Sequence, residues 1–457
     1  MKNNINNLQF DEHNQEFKKA FDIINENRYF KTNLLITGVA GTGKSTFLRY
    51  LTNTVKKNII VLAPTGIAAI NIGGQTIHSF FWFPPRALML QDNGIKRFSK
   101  KSKEYKTIKA MDILIIDEIS MVRPDIVDAI DYSLRMNGGD PEMEFGGKQV
   151  VFIGDLLQLA PIVIDSHHQN LINSIYRNNY FFSSKVFEKI HLKKVEFIKN
   201  YRQSDPIFIG LLNKVRNKTI SQTELDVFNK RVCSESELND LTNIITLTTT
   251  NEMAKMVNLN RLSRIEYPTY NFQAVIKGVF NKSKFPTDEQ LKLKKGAQVM
   301  FTFNDSLAKR WVNGTIGIIH ELNTNSIEVK LENGLIHEVV KSTWQNFKYK
   351  YNNVDHCIEK EKIGEFQQYP LKLAWAITIH KSQGLTYDKV IINYGNGTFA
   401  NGQAYVALSR LRSFDGLFLK RKIDLSDIKI DIKIIDFYRN FNKKWSKNTF
   451  ETLLRLT

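Results

Sequence analysis

The sequence predicts an α/β protein of more than one domain, on three observations. Its 457 residues exceed what one compact core carries and suit two to four domains of roughly 100–200 residues each. Short apolar runs at 33–36 (NLLI), 113–116 (ILII) and 149–153 (QVVFI) read as parallel strands buried on both faces. Each run stops at glycine, threonine or acidic residues, and an amphipathic stretch such as STFLRYLTNTV (45–55) supplies helix between them. Composition agrees, since 42% hydrophobic residues suffice for sizeable cores.

Charge and cysteine content narrow the function classes. Sixty-four Lys and Arg stand against 46 Asp and Glu, a net charge of +18, which points to a polyanionic partner such as nucleic acid or an anionic membrane surface. Cys233 and Cys357 are the only cysteines, too few for a disulfide framework or a four-thiolate metal site. The pair His167-His168 has no neighbours at ligand spacing, so a structural zinc site is not expected. The opening MKNNINNLQFDEHNQ has no apolar signal core and no run reaches the ~20 apolar residues of a membrane span. A soluble, cytoplasmic protein is expected.

The first chemical signature follows the first strand. Gly38-Val-Ala-Gly41-Thr42-Gly43-Lys44-Ser45-Thr46 is G-x-x-x-x-G-K-S between a strand and a helix. Its glycines let the backbone curl so that N–H groups converge on phosphate, Lys44 reaches the β/γ-phosphates, and the Ser45 hydroxyl ligates Mg²⁺. The helix that begins there adds its positive dipole end. The strand 113–116 then ends in Asp117-Glu118. Asp117 suits a Mg²⁺ carboxylate, and Glu118 suits a base for the water that attacks a γ-phosphate. Gln158, just beyond the strand 149–153 in Gly154-Asp155-Leu-Leu-Gln158, suits a sensor of the γ-phosphate. The pairing implies nucleoside-triphosphate hydrolysis.

Further along, the motifs resemble the ordered set of superfamily-one helicases. Ala63-Pro64-Thr65-Gly66 and Thr76-Ile77-His78-Ser79-Phe80-Phe81, then Asn200-Tyr201-Arg202-Gln203, Thr378-Ile-His380-Lys381-Ser-Gln-Gly384 and Tyr405-Val-Ala-Leu-Ser-Arg410 complete the series. The combination with Asp117-Glu-Ile-Ser-Met121 is most similar to the PIF-type (petite integration frequency) DNA helicases, in the 5′-to-3′ branch that includes RecD, and to a compact bacterial or phage-like member. The likeness runs over about residues 9–420.

That resemblance implies two RecA-like motor domains with parallel sheets. The first spans 1–190 with a small wedge insertion at about 80–110; the second spans 191–264 and 366–457; an SH3-like β-barrel insertion occupies 265–365. It implies catalytic roles for Glu118, Gln158, Arg202 and Arg410, the two arginines reaching the γ-phosphate when two domains close over ATP. Gln15 would read adenine, and Gly38, Gly41, Thr42, Gly43, Lys44, Ser45, Thr46 and Gly384 would bind ATP. Pro64, Thr65, Gly66, His78, Ser79, Phe80, Phe81, His380 and Lys381 would touch single-stranded DNA. Among the aromatics after His78, at least Phe80 or Phe83 is expected to be buried. The wedge carries Lys96, Arg97, Lys100, Lys101, Lys103, Lys106 and Lys109, read either as a solvated basic face or as a patch feeding the duplex junction.

Within the expected barrel, Ile327, Val329 and Leu331 alternate with Glu328 and Lys330, and Asn333-Gly334 marks a tight hairpin turn. The tail 438–447 is a basic helix candidate. The expected activity is an ATP- and Mg²⁺-dependent helicase that moves 5′ to 3′ on single-stranded DNA as a monomer and opens forked or duplex DNA in replication, repair, recombination or genome maintenance. The alternative is an ATP-switched nucleic-acid-binding or remodelling protein without processive unwinding.

Overall fold

The structure, a computed structural model, describes residues 11–26, 31–161, 166–305, 308–324, 326–352, 354–355 and 357–441. Nothing is described of the side chains of His167 and His168, and tail residues 442–447 lie outside these ranges. Two units are formed. The amino-terminal unit takes the described residues through Tyr201, residues 347–362, and those from Asp431 onward; the second takes 202–346 and 363–430.

The amino-terminal unit is a six-stranded parallel sheet. In chain order its strands are β1 (Asn33–Gly38), β2 (Ile59–Ala63), β3 (Gln75–Thr76), β4 (Ile113–Ile116), β5 (Gln149–Ile153) and β6 (Leu192–Phe197), arranged β3-β2-β4-β5-β1-β6. Residues of β1, β4 and β5 are buried throughout, because helices cover both faces of a parallel sheet. Phe17, Ile24, Phe47 and Leu51 of α1 (Gln15–Asn25) and α2 (Lys44–Thr54) pack on one face with Leu34, Ile36 and Val151. Ile126, Val127, Ile130 and Leu134 of a later helix, Pro124–Met136, pack with Leu35, Leu114 and Phe152 on the other.

Three boundaries differ from those expected. Strand β6 pairs with β1 from Asn33↔Leu192 to Gly38↔Phe197, so the amino-terminal unit runs to Tyr201, not 190. The carboxy-terminal segment does not stay with the second unit: Ile434 and Phe441 enter the core of the amino-terminal one, and Phe437 stacks on Phe182 at 4.3 Å. Tyr438 Oη and Thr37 Oγ1 are hydrogen-bonded at 2.9 Å. Residues 347–362 also join the amino-terminal unit, because Tyr349 is buried against Phe80 and its Oη accepts the Val61 N–H at 3.1 Å.

The second unit carries a four-stranded parallel sheet, interrupted by an antiparallel insertion. Its strands are β7 (Ile245–Thr248), then, after the ten strands β8–β17 of the insertion, β18 (Ala376–Thr378), β19 (Val390–Asn393) and β20 (Leu417–Leu419), in the order β18-β7-β19-β20. In the insertion, β8 (Tyr270–Gln273) pairs with β10 (Gln290–Leu293), and the long β16 (Cys357–Gln368) lies between β15 (Ser342–Asn352) and β9 (Val275–Gly278). β11 (Gln298–Phe301), β12 (Ile316–Leu322), β13 (Ile327–Leu331), β14 (Ile336–Val339) and β17 (Leu371–Leu373) form a five-stranded sheet in the order β14-β13-β12-β11-β17. Because β17 closes on β11 through Val299↔Leu373, the insertion extends past residue 365. The turn at Asn333-Gly334 joins β13 to β14 as expected, with Gly334 at φ +82° and Asn333 Oδ1 accepting the Leu335 N–H at 3.0 Å.

Candidate nucleotide and nucleic-acid sites

The carboxyl ends of β1, β4 and β5 converge on one set of side chains. After β1 the loop turns through Gly41 (φ +88°) and Gly43 (φ +80°), left-handed conformations that favour glycine. Gly38 is required for a different reason: a Cβ there would meet the Phe197 carbonyl at 2.5 Å. Gly43 is the N-cap of α2 and brings no capping side chain, so the first N–H groups of that helix face the loop. Lys44 Nζ donates to the carbonyls of Gly38 (2.8 Å) and Val39 (3.0 Å), and Thr42 Oγ1 donates to Val39 O at 2.9 Å. Ser45 is exposed and Thr46 half-buried at the head of the helix.

Asp117, at the end of β4, is buried. Desolvation pushes its carboxyl up to about 6, against the Glu118 N–H and the Lys44 charge, which pull it down. Asp117 Oδ1 accepts that Glu118 N–H at 2.9 Å. Glu118 takes a left-handed backbone (φ 51°, ψ 44°), uncommon for a side chain of its size, which ends the strand and starts a 3₁₀ turn. After β5, Gln158 is buried and its Nε2 donates to Asp155 Oδ2 at 3.2 Å. No cluster of three or more His, Cys, Asp or Glu side chains suited to a metal is found among the described residues. The side chains of this site that could hold a Mg²⁺ ion are the Ser45 hydroxyl and the Asp117 carboxylate, with phosphate and water oxygens completing its shell. That all-oxygen set suits a hard cation, and the desolvated Asp117 carboxyl is a group that a cation would compensate.

In the second unit, Arg202 Nη1 donates to the Ser409 carbonyl at 2.8 Å, and Gln203 Nε2 to Ser409 O and Leu411 O. Burial first, and the Arg410 charge second, lower the Arg202 pKa to about 9, which leaves it cationic at neutral pH. Arg410 is only 1% exposed. Its Nε donates to Val406 O, Nη1 to Ser382 O and Leu385 O, and Nη2 to Ser409 Oγ. It therefore binds the 382–385 turn to the helix Gln403–Leu408, a structural duty that the sequence reading did not include. Gly384 is exposed at φ +81° with open space around it. Gln15 is exposed at the start of α1, where Asn14 Oδ1 accepts the Phe17 N–H.

The expected DNA residues divide sharply. Thr65 and Thr76 are N-caps: Thr65 Oγ1 accepts the Ala68 N–H and Thr76 Oγ1 the Ser79 N–H, both at 3.3 Å. These caps start the short helices α3 (Gly66–Asn71) and α4 (Ile77–Phe81). Pro64, Gly66, His78 and Ser79 stay partly accessible. Phe80 and Phe81 do not: at 8% and 0% exposed they are core, with Phe80 edge-on to Phe81 at 4.8 Å and Phe81 stacked on Phe83 at 5.1 Å. This corrects their assignment as DNA contacts, since a ring packed on both sides offers no face to a base. His78 is lowered in pKa by desolvation and then by Arg123, and His380 by desolvation. Burial thus favours the neutral form of both imidazoles. Lys381 is exposed, whereas Ser382 is buried with its hydroxyl on the Ile379 carbonyl.

Comparison with known proteins decides the family. A family model of PIF1-like helicases matches residues 12–226. ATP-dependent DNA helicase Pif1 of Bdellovibrio bacteriovorus is 32% identical to this chain over 90% of its length and 88% of the relative's. The chain belongs to the PIF1-like helicase family. Among solved structures, a Bacteroides sp Pif1 in complex with ADP-AlF4 matches at a TM-score of 0.84 and 39% identity, covering 94% of this chain and 97% of that one. Bacteroides Pif1 bound to ssDNA matches at 0.68 and 41%, with the same coverage.

Two features of this PIF1-like chain were not assigned roles from its sequence. Tyr201 donates its backbone N–H to Gly41 O at 2.8 Å, and its ring lies 3.4 Å from where a Gly43 Cβ would stand. Its hydroxyl accepts from Asn14 Nδ2 at 3.0 Å and donates to Asp11 at 2.8 Å, so an exposed ring is fixed beside the phosphate loop. The insertion after α4 exposes Met89 and Leu90 on a turn held by Arg86, whose guanidinium forks onto Asp92 at 2.7 Å through both nitrogens. The Arg-x₅-Asp spacing of that clamp is too common to have signalled it.

Proposed function

We propose that this PIF1-like chain is an ATP- and Mg²⁺-dependent DNA helicase that moves 5′ to 3′ on single-stranded DNA as a monomer and opens duplex DNA, in the cytoplasm of a bacterium or phage-infected cell, in replication, repair or recombination. The supporting observation is the glycine loop at the head of α2 with buried Asp117 and strained Glu118 on the neighbouring strand. Such an arrangement binds and hydrolyses a nucleoside triphosphate.

Lys44 leaves its loop carbonyls for the β/γ-phosphates, and the loop N–H groups and the amino end of α2 hold the rest of the chain of charge. Ser45 and Asp117 would hold Mg²⁺, which would supply neutralisation of phosphate charge. Glu118 orients the attacking water and takes its proton, and Gln158 reports the γ-phosphate state. Gln15 and Gly384 contribute to nucleotide binding. Arg202 and Arg410 are retained as cations acting on the γ-phosphate, with Arg410 also anchoring its own unit. Pro64, Thr65, Gly66, His78, Ser79, His380 and Lys381 line the DNA path.

The deciding experiment compares matched duplexes carrying a 5′ or a 3′ single-stranded tail. ATP-dependent strand separation on the 5′-tailed duplex alone is expected. Separation only on the 3′-tailed duplex overturns the polarity, and ATP turnover without separation on either supports an ATP-driven switch instead. Glu118→Gln that hydrolysed ATP at the wild-type rate on single-stranded DNA would remove Glu118 from its role.

A further inference from the structure

Trp82 breaks the pattern of its neighbours. In Phe80-Phe81-Trp82-Phe83 the three phenylalanines are buried, yet Trp82 is 43% exposed. It forms the C-cap of α4 with a left-handed backbone (φ 59°, ψ 35°), which bulky side chains rarely take and glycine or asparagine takes readily. A turn needing only that geometry has no use for an indole. The ring faces outward because the phenylalanines take the inward positions and the cap reverses the chain.

What surrounds the indole is cationic. Lys96 Nζ lies 4.5 Å from the ring centroid and Lys348 Nζ 5.3 Å from it. Phe98 meets the ring edge-on at 5.9 Å, which fixes its plane. Lys348 is held by Glu104 at 2.5 Å, whereas Lys96 is exposed and makes no ion pair among the described residues. An aromatic ring with an exposed ammonium on it, four residues beyond His78, has the composition of a single-strand stacking site: one π-face and nearby positive charge for the phosphate.

We propose that Trp82 is a stacking platform for one base of single-stranded DNA, and that the incoming base displaces Lys96, whose ammonium moves to the adjoining phosphate. The inference rests on the reading of this chain as a DNA-binding helicase. An exposed cation–π contact is worth only a few-fold in an equilibrium constant, whereas stacking one base on an aromatic side chain contributes roughly 5- to 150-fold. The exchange therefore favours the base, and it recovers the lysine as a phosphate contact. Trp82 reads no sequence, because every base has a face to stack.

The test measures binding of full-length protein to a fluorescein-labelled oligothymidine and to the same strand with abasic sites, across a salt series. Trp82→Ala and Trp82→Asn, the latter suited to the left-handed cap, are each expected to weaken oligothymidine binding roughly 5- to 150-fold. Trp82→Phe should stay within about 3-fold of wild type, keeping a face to stack. On the abasic strand wild type and Trp82→Ala should bind alike. The slope of log affinity against log salt should be unchanged in Trp82→Ala, but shallower by roughly 0.7 in Lys96→Ala, the loss of one single-strand phosphate contact. Equal oligothymidine binding by wild type, Trp82→Ala and Trp82→Asn overturns the platform, as does an equal loss on the abasic strand. Failure of the wild type to bind either strand overturns the helicase reading itself.

Discussion

The two edges of the amino-terminal sheet use the same side chain for opposite purposes. At the carboxyl edge Lys44 stands among left-handed glycines at the start of a helix. At the amino edge Lys57 Nζ donates to the carbonyls of Ile24 (3.0 Å) and Glu26 (3.2 Å), where α1 ends, and Lys148 Nζ donates to Lys109 O (2.7 Å), where the helix Lys103–Ala110 ends. In a parallel sheet every crossover helix runs back against the strands, so helix amino ends gather at one edge and carboxyl ends at the other. The first edge attracts phosphate; the second is negative and takes up lysines as caps. A cleft of about 560 Å³ at that second edge, bordered by Lys56, Lys57, Lys360 and Asp112, looks basic but is set among helix carboxyl ends. Lysine density alone thus does not mark an anion site; the direction of the neighbouring backbone does.

The sharpest break between the edges is expected from Lys44→Ala. ATP turnover should fall by roughly 10²- to 10³-fold, as for loss of a principal electrostatic contact, with the thermal midpoint nearly unchanged; steady-state ATPase assays and calorimetry check both halves. Next comes Gly38→Ala. The Cβ would meet Phe197 O at 2.5 Å and force β1 from β6, so a loss of about 2–4 kcal/mol in urea unfolding is expected, with impaired nucleotide binding.

Lys57→Met should cost about 1 kcal/mol by uncapping α1 and leave kcat for ATP within about 2-fold. Were kcat to collapse, the separation of duties between the edges would be wrong. The smallest effect concerns pH. Desolvation first, then Lys31 and Lys109 against Asp112, depress Lys148 to about 8 from 10.5. A lysine with a lowered folded pKa binds fewer protons folded than unfolded between those values, so its contribution makes stability rise from pH 8 to 10.5. In Lys148→Met that rise should shrink by on the order of 1 kcal/mol, read from unfolding midpoints against pH.

Sequence reading succeeded where the signal is local. Continuous apolar runs at 33–36, 113–116 and 149–153 have one stable use in a parallel sheet, and Asn333-Gly334 needs no partner to define its turn. It failed where register or distance decides. Phe80, Phe81, Trp82 and Phe83 are four consecutive aromatics without periodicity, and the Thr76 N-cap that starts α4 together with the left-handed Trp82 C-cap that ends it determines which ring faces out. The returns of 347–362 and 431–441 to the amino-terminal unit were missed because no neighbour in sequence specifies them. For the same reason Arg410 was read by its motif alone, while two of the carbonyls that accept from it, Ser382 O and Leu385 O, lie 28 and 25 residues away.

Those returns also set the order in which the protein can be made. Tyr349 closes over Val61 across 288 residues, and Tyr438 meets Thr37 across 401. A ribosome that has released only the first 201 residues has delivered every strand of the β1–β6 sheet, yet not Tyr349, Ile434 or Phe441 of its core. Phe181, Phe182 and Phe187 await Phe437. The amino-terminal unit is thus completed only after residue 441 has been made, and until then a nascent chain presents a sheet with an unsealed aromatic face. Truncation before Tyr438 would remove its hydrogen bond to Thr37 and so reach back to the first strand.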